Sequence, residues 1–343
     1  MQDHGANVVL TTSRDASPSA LSPVELFNGY VGAGVAFALE QCGVLDVLRQ
    51  RDRVSHEELS LLTSTQSDRL RTLLDAAVRL RLIDRDGDCL SLTASGLELA
   101  RDAGYFVWAV GGCGGVISSL GDWARGERSF GVDIRRDMVQ VAVGSARCDE
   151  AFMAPVLHRV LDELDFRCVA DVGCGNATRL VRICERYPGT LGLGIDLSPD
   201  TCRVARERVA LAGLSDRVRV CQGDATAFAG ERELREQVDL VCSFLLLHDL
   251  FAAMSPPEAL FARLRETFPN ANRYLFADTN ATPLDGGEPT IFTAGYELVH
   301  GVMGVPIGTV DEYERIMARA GLTLERRLPL GVPNTWLYVL ATT

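Results

Sequence analysis

The sequence predicts an α/β protein in which a mostly parallel sheet, covered by helices on both faces, follows a smaller helical domain that ends in a hairpin. Two patterns carry this reading. In the second half the apolar runs RCVADVG, LGLGIDLS, RVRVCQGD, VDLVCSFLLL and RYLFADT alternate with helical segments, which is how strands buried on both faces read. In the first hundred residues apolar positions recur instead at i, i+3 and i+4, and β pattern is confined to one short hairpin. The chain has 343 residues, and single cores stop growing near ~250, so two domains are expected.

Taken in order, residues 1–20 carry no basic segment followed by an apolar one, so they read as a disordered tail and not as a signal peptide. Residues 21–105 contain an apolar helical stretch, a capping signal SHEEL at Ser55, the amphipathic segment SDRLRTLLDAAVRLRLI and the hairpin IDRDGDCLSLT, whose Asp-Gly marks the turn. Helix, helix and hairpin describe a winged-helix module. A linker over 106–165, helical from about Asp133 to Leu164, leads to the sheet domain at 166–343.

Composition narrows the partners. The formal net charge is -12 and the pI near 5.0, every basic residue is Arg, and no basic block exists to neutralise a phosphate backbone. Nucleic acid is therefore not expected, and dimerisation is the expected task of the winged-helix module. No run approaches the roughly 18 apolar residues needed to cross a bilayer, since YFVWAVGGCGGVISSL is broken by glycines. The 10 cysteines are scattered without a C-x-x-C pair, as free thiols in a reducing compartment would be, so a cytoplasmic location is expected.

The cofactor signal lies in the second half. RCVADV runs into GCGNATRL, a glycine turn that opens a helix; Asp171 precedes the glycines, Asp196 closes the next strand, and Gly-Asp-Ala at Gly223 follows the third. Acids thus stand at successive strand ends, where open α/β sheets bind ligands. A nicotinamide cofactor would want a third glycine, and Thr178 stands there instead.

This set resembles the class I S-adenosylmethionine-dependent methyltransferases. The resemblance implies a Rossmann-like fold with a seven-stranded, mostly parallel sheet. It also implies that Asp171, Gly173 and Gly175 lie against the methionine part of the cofactor, that Asp196 accepts the ribose hydroxyls, that Asp224 beside Ala225 meets the adenine amine, and that Ser243 belongs to the cofactor site. A carboxylate suits both acceptor roles.

The reaction signal is SFLLLHDLF, an apolar run that ends in His248 and Asp249. A buried strand gains nothing from such a tip. With a winged-helix dimerisation domain in front, the chain is similar to small-molecule O-methyltransferases, whose fourth strand ends in a comparable His-Asp with the histidine as general base, a role suited to a pKa near ~6.5. Downstream, Phe292 to His300 (FTAGYELVH) and Met303 to Val305 (MGV) are similar to a narrower group, the α-keto acid C-methyltransferases of peptide natural-product pathways. That resemblance implies that His248 and His300 bind one metal ion, iron or zinc, and that the substrate is a small α-keto acid such as phenylpyruvate or 4-methyl-2-oxovalerate. C3 of such an acid becomes a nucleophile only as an enol or enolate, which a Lewis acid favours.

Asp249 is then a third ligand, an acceptor for bound water, or a helix cap. The resemblance also implies that Trp108, Cys113, Leu245, Phe292 and Val305 line the pocket, although plain core packing accounts for each taken singly. Arg136 or Arg147 in the linker offers a fork for the substrate carboxylate. Two other functions stay open at this point: a metal-free O-methyltransferase with His248 as base, and a winged-helix regulator that uses the cofactor fold as a sensor.

Overall fold

The computed structural model describes residues 21–282 and 290–342; the tail expected at 1–20 lies outside them. The first helix, Pro23–Gln41, begins where Ser22 accepts the Glu25 N–H and Glu25 takes the Ser22 N–H at 2.8 Å, a reciprocal cap with proline in the first turn. Ser55 caps the helix His56–Leu62 as SHEEL predicts, and Ser67–Arg79 follows. The strands β1 (Val54–Ser55), β2 (Ile83–Asp86) and β3 (Cys89–Leu92) pair in the order β1-β3-β2, with Gly87 at φ +61° in the Asp-Gly turn. Leu39, Leu45, Leu59 and Leu74 are buried at the centre of this winged-helix core.

The helix Ala94–Phe106 does not stop at the expected domain boundary. It runs on as the π-helical turn Val107–Gly112, and the linker helix Met138–Cys148 crosses it backbone to backbone. A Cβ added to Gly144 would lie 2.7 Å from the Trp108 backbone nitrogen, and one added to Gly104 would lie 2.7 Å from the Gly144 oxygen. Only glycine fits either position. Arg147 fastens the same crossing, donating to Glu40 and Asp46 at 2.6 Å each. A second π-helical turn, Asp149–Met153, and the helix Ala154–Leu161 complete the linker.

The main sheet has seven strands: β4 (Cys168–Val172), β5 (Leu191–Asp196), β6 (Val218–Gln222), β7 (Leu240–Phe244), β8 (Arg273–Thr279), β9 (Leu322–Pro329) and β10 (Thr335–Thr342), in the order β6-β5-β4-β7-β8-β10-β9. β10 runs antiparallel to both of its neighbours and the other pairings are parallel. Apolar clusters cover both faces, with Leu180, Leu275 and Leu337 on one and Leu193, Phe261 and Tyr338 on the other. The strand order reverses at β4, whose neighbours are β5 and β7, and the crevice outside this point is where such sheets bind ligands. Among the described residues no single helix is long and apolar enough to cross a membrane.

The run SFLLLHDLF is not all strand. β7 ends at Phe244, Leu245 turns at φ +55°, and the helix Leu247–Ala252 begins, so His248 and Asp249 sit in a first helical turn and not at a strand tip. Apolarity alone does not distinguish the two states over so short a run.

Candidate active site

The glycine turn after β4 forms one wall of the crevice. Gly173 and Gly175 take φ +71° and +55°, and a Cβ on Gly173 would lie 2.3 Å from the Leu246 side chain. The Gly175 N–H donates to Asp196 Oδ2 at 3.0 Å, while Asp196 Oδ1 takes the Ser198 N–H at 2.9 Å. The acid that closes β5 therefore fixes the turn and keeps lone pairs free toward the cavity. Gly173, Gly175, Asp196, Leu245, Asp249 and Arg136 line one continuous cavity, which joins the turn to the linker. Asp224 is exposed beyond β6, its carboxylate holding the Thr226 N–H and hydroxyl, with Ala225 buried beside it.

Two predicted cofactor residues sit differently. Asp171 is fully buried and accepts Arg179 Nη1 at 3.0 Å; burial, opposed by Arg179, pushes its carboxyl up to about 6. Ser243 is also fully buried, and its hydroxyl donates to the Val172 carbonyl at 3.0 Å, so it braces β7 against β4.

A second constellation begins three residues beyond Leu245, at His248. His248 Nδ1 donates to Asp278 Oδ2 at 2.9 Å, and the His248 backbone N–H donates to the same oxygen at 2.7 Å. The Tyr296 hydroxyl, 3.0 Å from His248 Nδ1, donates to Asp278 Oδ1 at 3.2 Å, and the Tyr313 hydroxyl reaches Asp278 Oδ2 at 3.4 Å. Burial alone would disfavour the imidazolium of His248, but the charge and hydrogen bond of Asp278 outweigh it and raise its pKa.

His300, one helical turn beyond Tyr296, donates Nδ1–H to the Tyr296 carbonyl at 2.7 Å. Its ring centre is 4.5 Å from that of His248. Its Nε2 is buried with no hydrogen-bond partner among the described residues. Burial and the neighbouring His248 charge drop its pKa to about 3, so the imidazole is neutral and its lone pair available. Asp249 Oδ2 stands 3.5 Å from His248 Nε2.

The family model for a methyltransferase domain matches residues 169–268, the stretch that carries the turn and the strand-end acids. Similarity extends well beyond it. Indolepyruvate C-methyltransferase of Streptomyces griseus is 28% identical over 338 residues, covering 96% of this chain and 97% of that protein. Methyltransferase ungE′ of Aspergillus campestris is 29% identical over 321 residues, 90% and 92% of the two chains. The structure of mitomycin 7-O-methyltransferase MmcR superposes with a TM-score of 0.62 at 18% identity, over 93% of this chain and 96% of that one.

The chain is a class I S-adenosylmethionine-dependent methyltransferase.

In this methyltransferase the sequence-predicted residues Gly173, Gly175, Asp196, Leu245 and Asp249 line one cavity. His248 and His300 meet ring to ring, and Trp108 and Phe292 pack at 5.2 Å between centroids, with Tyr296 4.8 Å from Phe292. Cys113 is fully buried in the same cluster, and burial pushes its thiol up to about 12, so it acts as an apolar wall. Val305 donates its N–H to the His300 carbonyl at 3.0 Å and ends that helix. Asp249 makes no capping hydrogen bond among the described residues, which removes the cap from its possible roles.

Arg147 is committed to Glu40 and Asp46, whereas Arg136 lines the cavity and its Nε is buried with no partner among the described residues. Sequence reasoning missed Asp278, Tyr296 and Arg179. Asp278 ends RYLFADT by the same strand-end rule as the other acids, but the other two carry no local signal.

Proposed function

We propose that this methyltransferase transfers the methyl group of S-adenosylmethionine to C3 of an α-keto acid, of the phenylpyruvate or 4-methyl-2-oxovalerate type, in peptide natural-product biosynthesis. The observation that carries the reading is the pair of imidazoles. Each is anchored through Nδ1, His248 by Asp278 and His300 by the Tyr296 carbonyl; the His300 Nε2 has no partner among the described residues, and the His248 Nε2 has only the long contacts to the Tyr296 hydroxyl at 3.4 Å and Asp249 Oδ2 at 3.5 Å. That second anchoring bond accompanies nearly every metal-bound histidine. A buried neutral imidazole with an unpartnered Nε2 is costly unless something occupies that lone pair. The donor set thus suits a single iron or zinc ion held by His248 and His300. When bound, the ion would supply Lewis acidity toward the oxygens of the keto acid.

The remaining roles follow from the protein's own groups. Arg136 offers the guanidinium for the substrate carboxylate, and Trp108, Phe292 and Tyr296 form an aromatic wall for its side chain. Asp249, on the cavity and beside His248 Nε2, accepts the C3 proton, so that the electron pair of that C–H bond enters the enolate. The enolate carbon then forms the new C–C bond as the S–CH₃ bond breaks, and neutral S-adenosylhomocysteine leaves. Phe27 and Tyr30 on the first helix are 69% and 80% exposed, an apolar face that supports a homodimer through the N-terminal domain.

The test is product analysis with phenylpyruvate and 4-methyl-2-oxovalerate beside phenols. A new C3 methyl in the NMR spectrum is expected, together with enzyme-accelerated exchange of the C3 proton for deuterium when S-adenosylhomocysteine replaces the methyl donor. Arg136→Gln should raise KM for the keto acid and leave that for the cofactor alone. Methylation of phenols only, with no exchange, would return His248 to general base in an O-methyltransferase.

A further inference from the structure

We propose that Asp149 and Arg179 together hold the amino acid end of the cofactor, the carboxylate of Asp149 taking its ammonium and the guanidinium of Arg179 its carboxylate. Asp149 opens the π-helical turn of the linker and is 1% exposed, yet it borders the cofactor cavity, as do Arg179, Gly173, Gly175 and Phe244. Single π-helical turns recur at functional sites because they re-aim side chains.

Arg179 lies flat on Phe244, 3.8 Å from the ring centre, donates Nε–H to Asp149 Oδ1 at 3.1 Å, and donates Nη1–H to Asp171 Oδ1 at 3.0 Å. Its Nη2 makes no hydrogen bond among the described residues. Asp149 Oδ2 is buried and likewise has no hydrogen-bond partner there; Arg182 stands beside it with Nη1 3.9 Å away, while its other nitrogen, Nη2, pairs with Glu150 at 3.0 Å.

The charges explain what the cluster lacks. Arg179 is the one guanidinium hydrogen-bonded to the two buried carboxylates Asp149 and Asp171, and Arg182, at 3.9 Å from Asp149, is shared with Glu150, so a negative charge stays partly uncompensated beside the glycine turn. A buried carboxylate oxygen without a donor is costly, and a ligand ammonium relieves it. Asp171, sealed beneath the turn, serves to hold Arg179. The free donor and the free acceptor belong to two residues that border the cavity, and as a pair of opposite sign they are the complement of a zwitterion.

Calorimetric binding of two thioethers to the full-length protein tests this: S-adenosylhomocysteine, and its analogue with hydrogen in place of the α-ammonium. The native protein should prefer the first by about tenfold or more, and Asp149→Asn should abolish that preference by weakening the first alone. The decarboxylated thioether paired with Arg179→Gln should behave in the same way. If Asp149→Asn weakens both ligands equally, or binds neither, Asp149 only supports the fold and the assignment is overturned; an unchanged preference overturns it too.

Discussion

The cofactor crevice and the histidine pocket meet just beyond β7, where Leu245 and Asp249 line the crevice and His248 joins the pocket, yet they are held together by different means. The crevice is made of backbone: two glycines at positive φ, an N–H from Gly175 and a strand-end acid, Asp196, all within a stretch of β4, its turn and β5. The histidine pocket is made of side chains brought from far apart, with Asp278 at the end of β8 tying His248 to Tyr296 and Tyr313. Backbone sites depend on turn chemistry and tolerate change around them. Side-chain networks depend on every member, because a buried polar group whose partner is removed costs more than the bond was worth.

The largest expected effect separates the two regions. His300→Ala should lower methyl transfer to the keto acid by roughly a thousandfold or more, and elemental analysis should find one metal ion per chain in the native protein and none in the variant. Its affinity for S-adenosylhomocysteine should stay within about twofold, because no bond of the glycine turn runs through His300. Retained transfer in this variant would sink the metal reading, and a parallel loss of cofactor affinity would show that the two regions are one.

The converse change is smaller. Asp196→Ala removes the anchor of the Gly175 N–H together with the carboxylate expected to accept the ribose hydroxyls, so the dissociation constant for S-adenosylhomocysteine should rise about tenfold or somewhat more. Metal content should be unaffected. A drop in metal with the loss of Asp196 would break the comparison from the other side.

Legibility in the sequence follows the same division. Gly173, Gly175, Asp196 and Asp224 can be singled out from the sequence because each stands at a strand end or in a turn, and a turn imposes a residue type at a fixed spacing. The parallel strands were legible from their continuous apolarity. His248 is singled out by the sequence but set on a strand, since a run such as SFLLL has no period that distinguishes extended chain from helix. Tyr296 and Arg179 were not legible: each lies on a helix where its type is unremarkable, and only the packing of Tyr296 against Asp278, or of Arg179 against Asp149, gives it a role. Arg136 and Arg147 looked alike in sequence, and what separates them is Glu40, more than a hundred residues away from Arg147.

The smallest effect is the sharpest probe of the histidine network. Tyr296→Phe removes one hydroxyl that touches His248 Nδ1 at 3.0 Å and Asp278 Oδ1 at 3.2 Å. Asp278 keeps the His248 ring, the His248 and Thr279 backbone N–H groups and the Tyr313 hydroxyl, so its carboxylate is still served. What is lost is a fixed orientation of the imidazole, a bond worth about 1 kcal/mol, so kcat should fall roughly threefold to tenfold with metal content preserved. Burial and the charge of Asp278 hold the Tyr296 phenol well above its ordinary pKa, so it stays protonated and donates to Asp278 without giving up its proton. A loss of a thousandfold with the metal still in place would contradict this, because only a group that takes part in the proton transfer itself could cost so much.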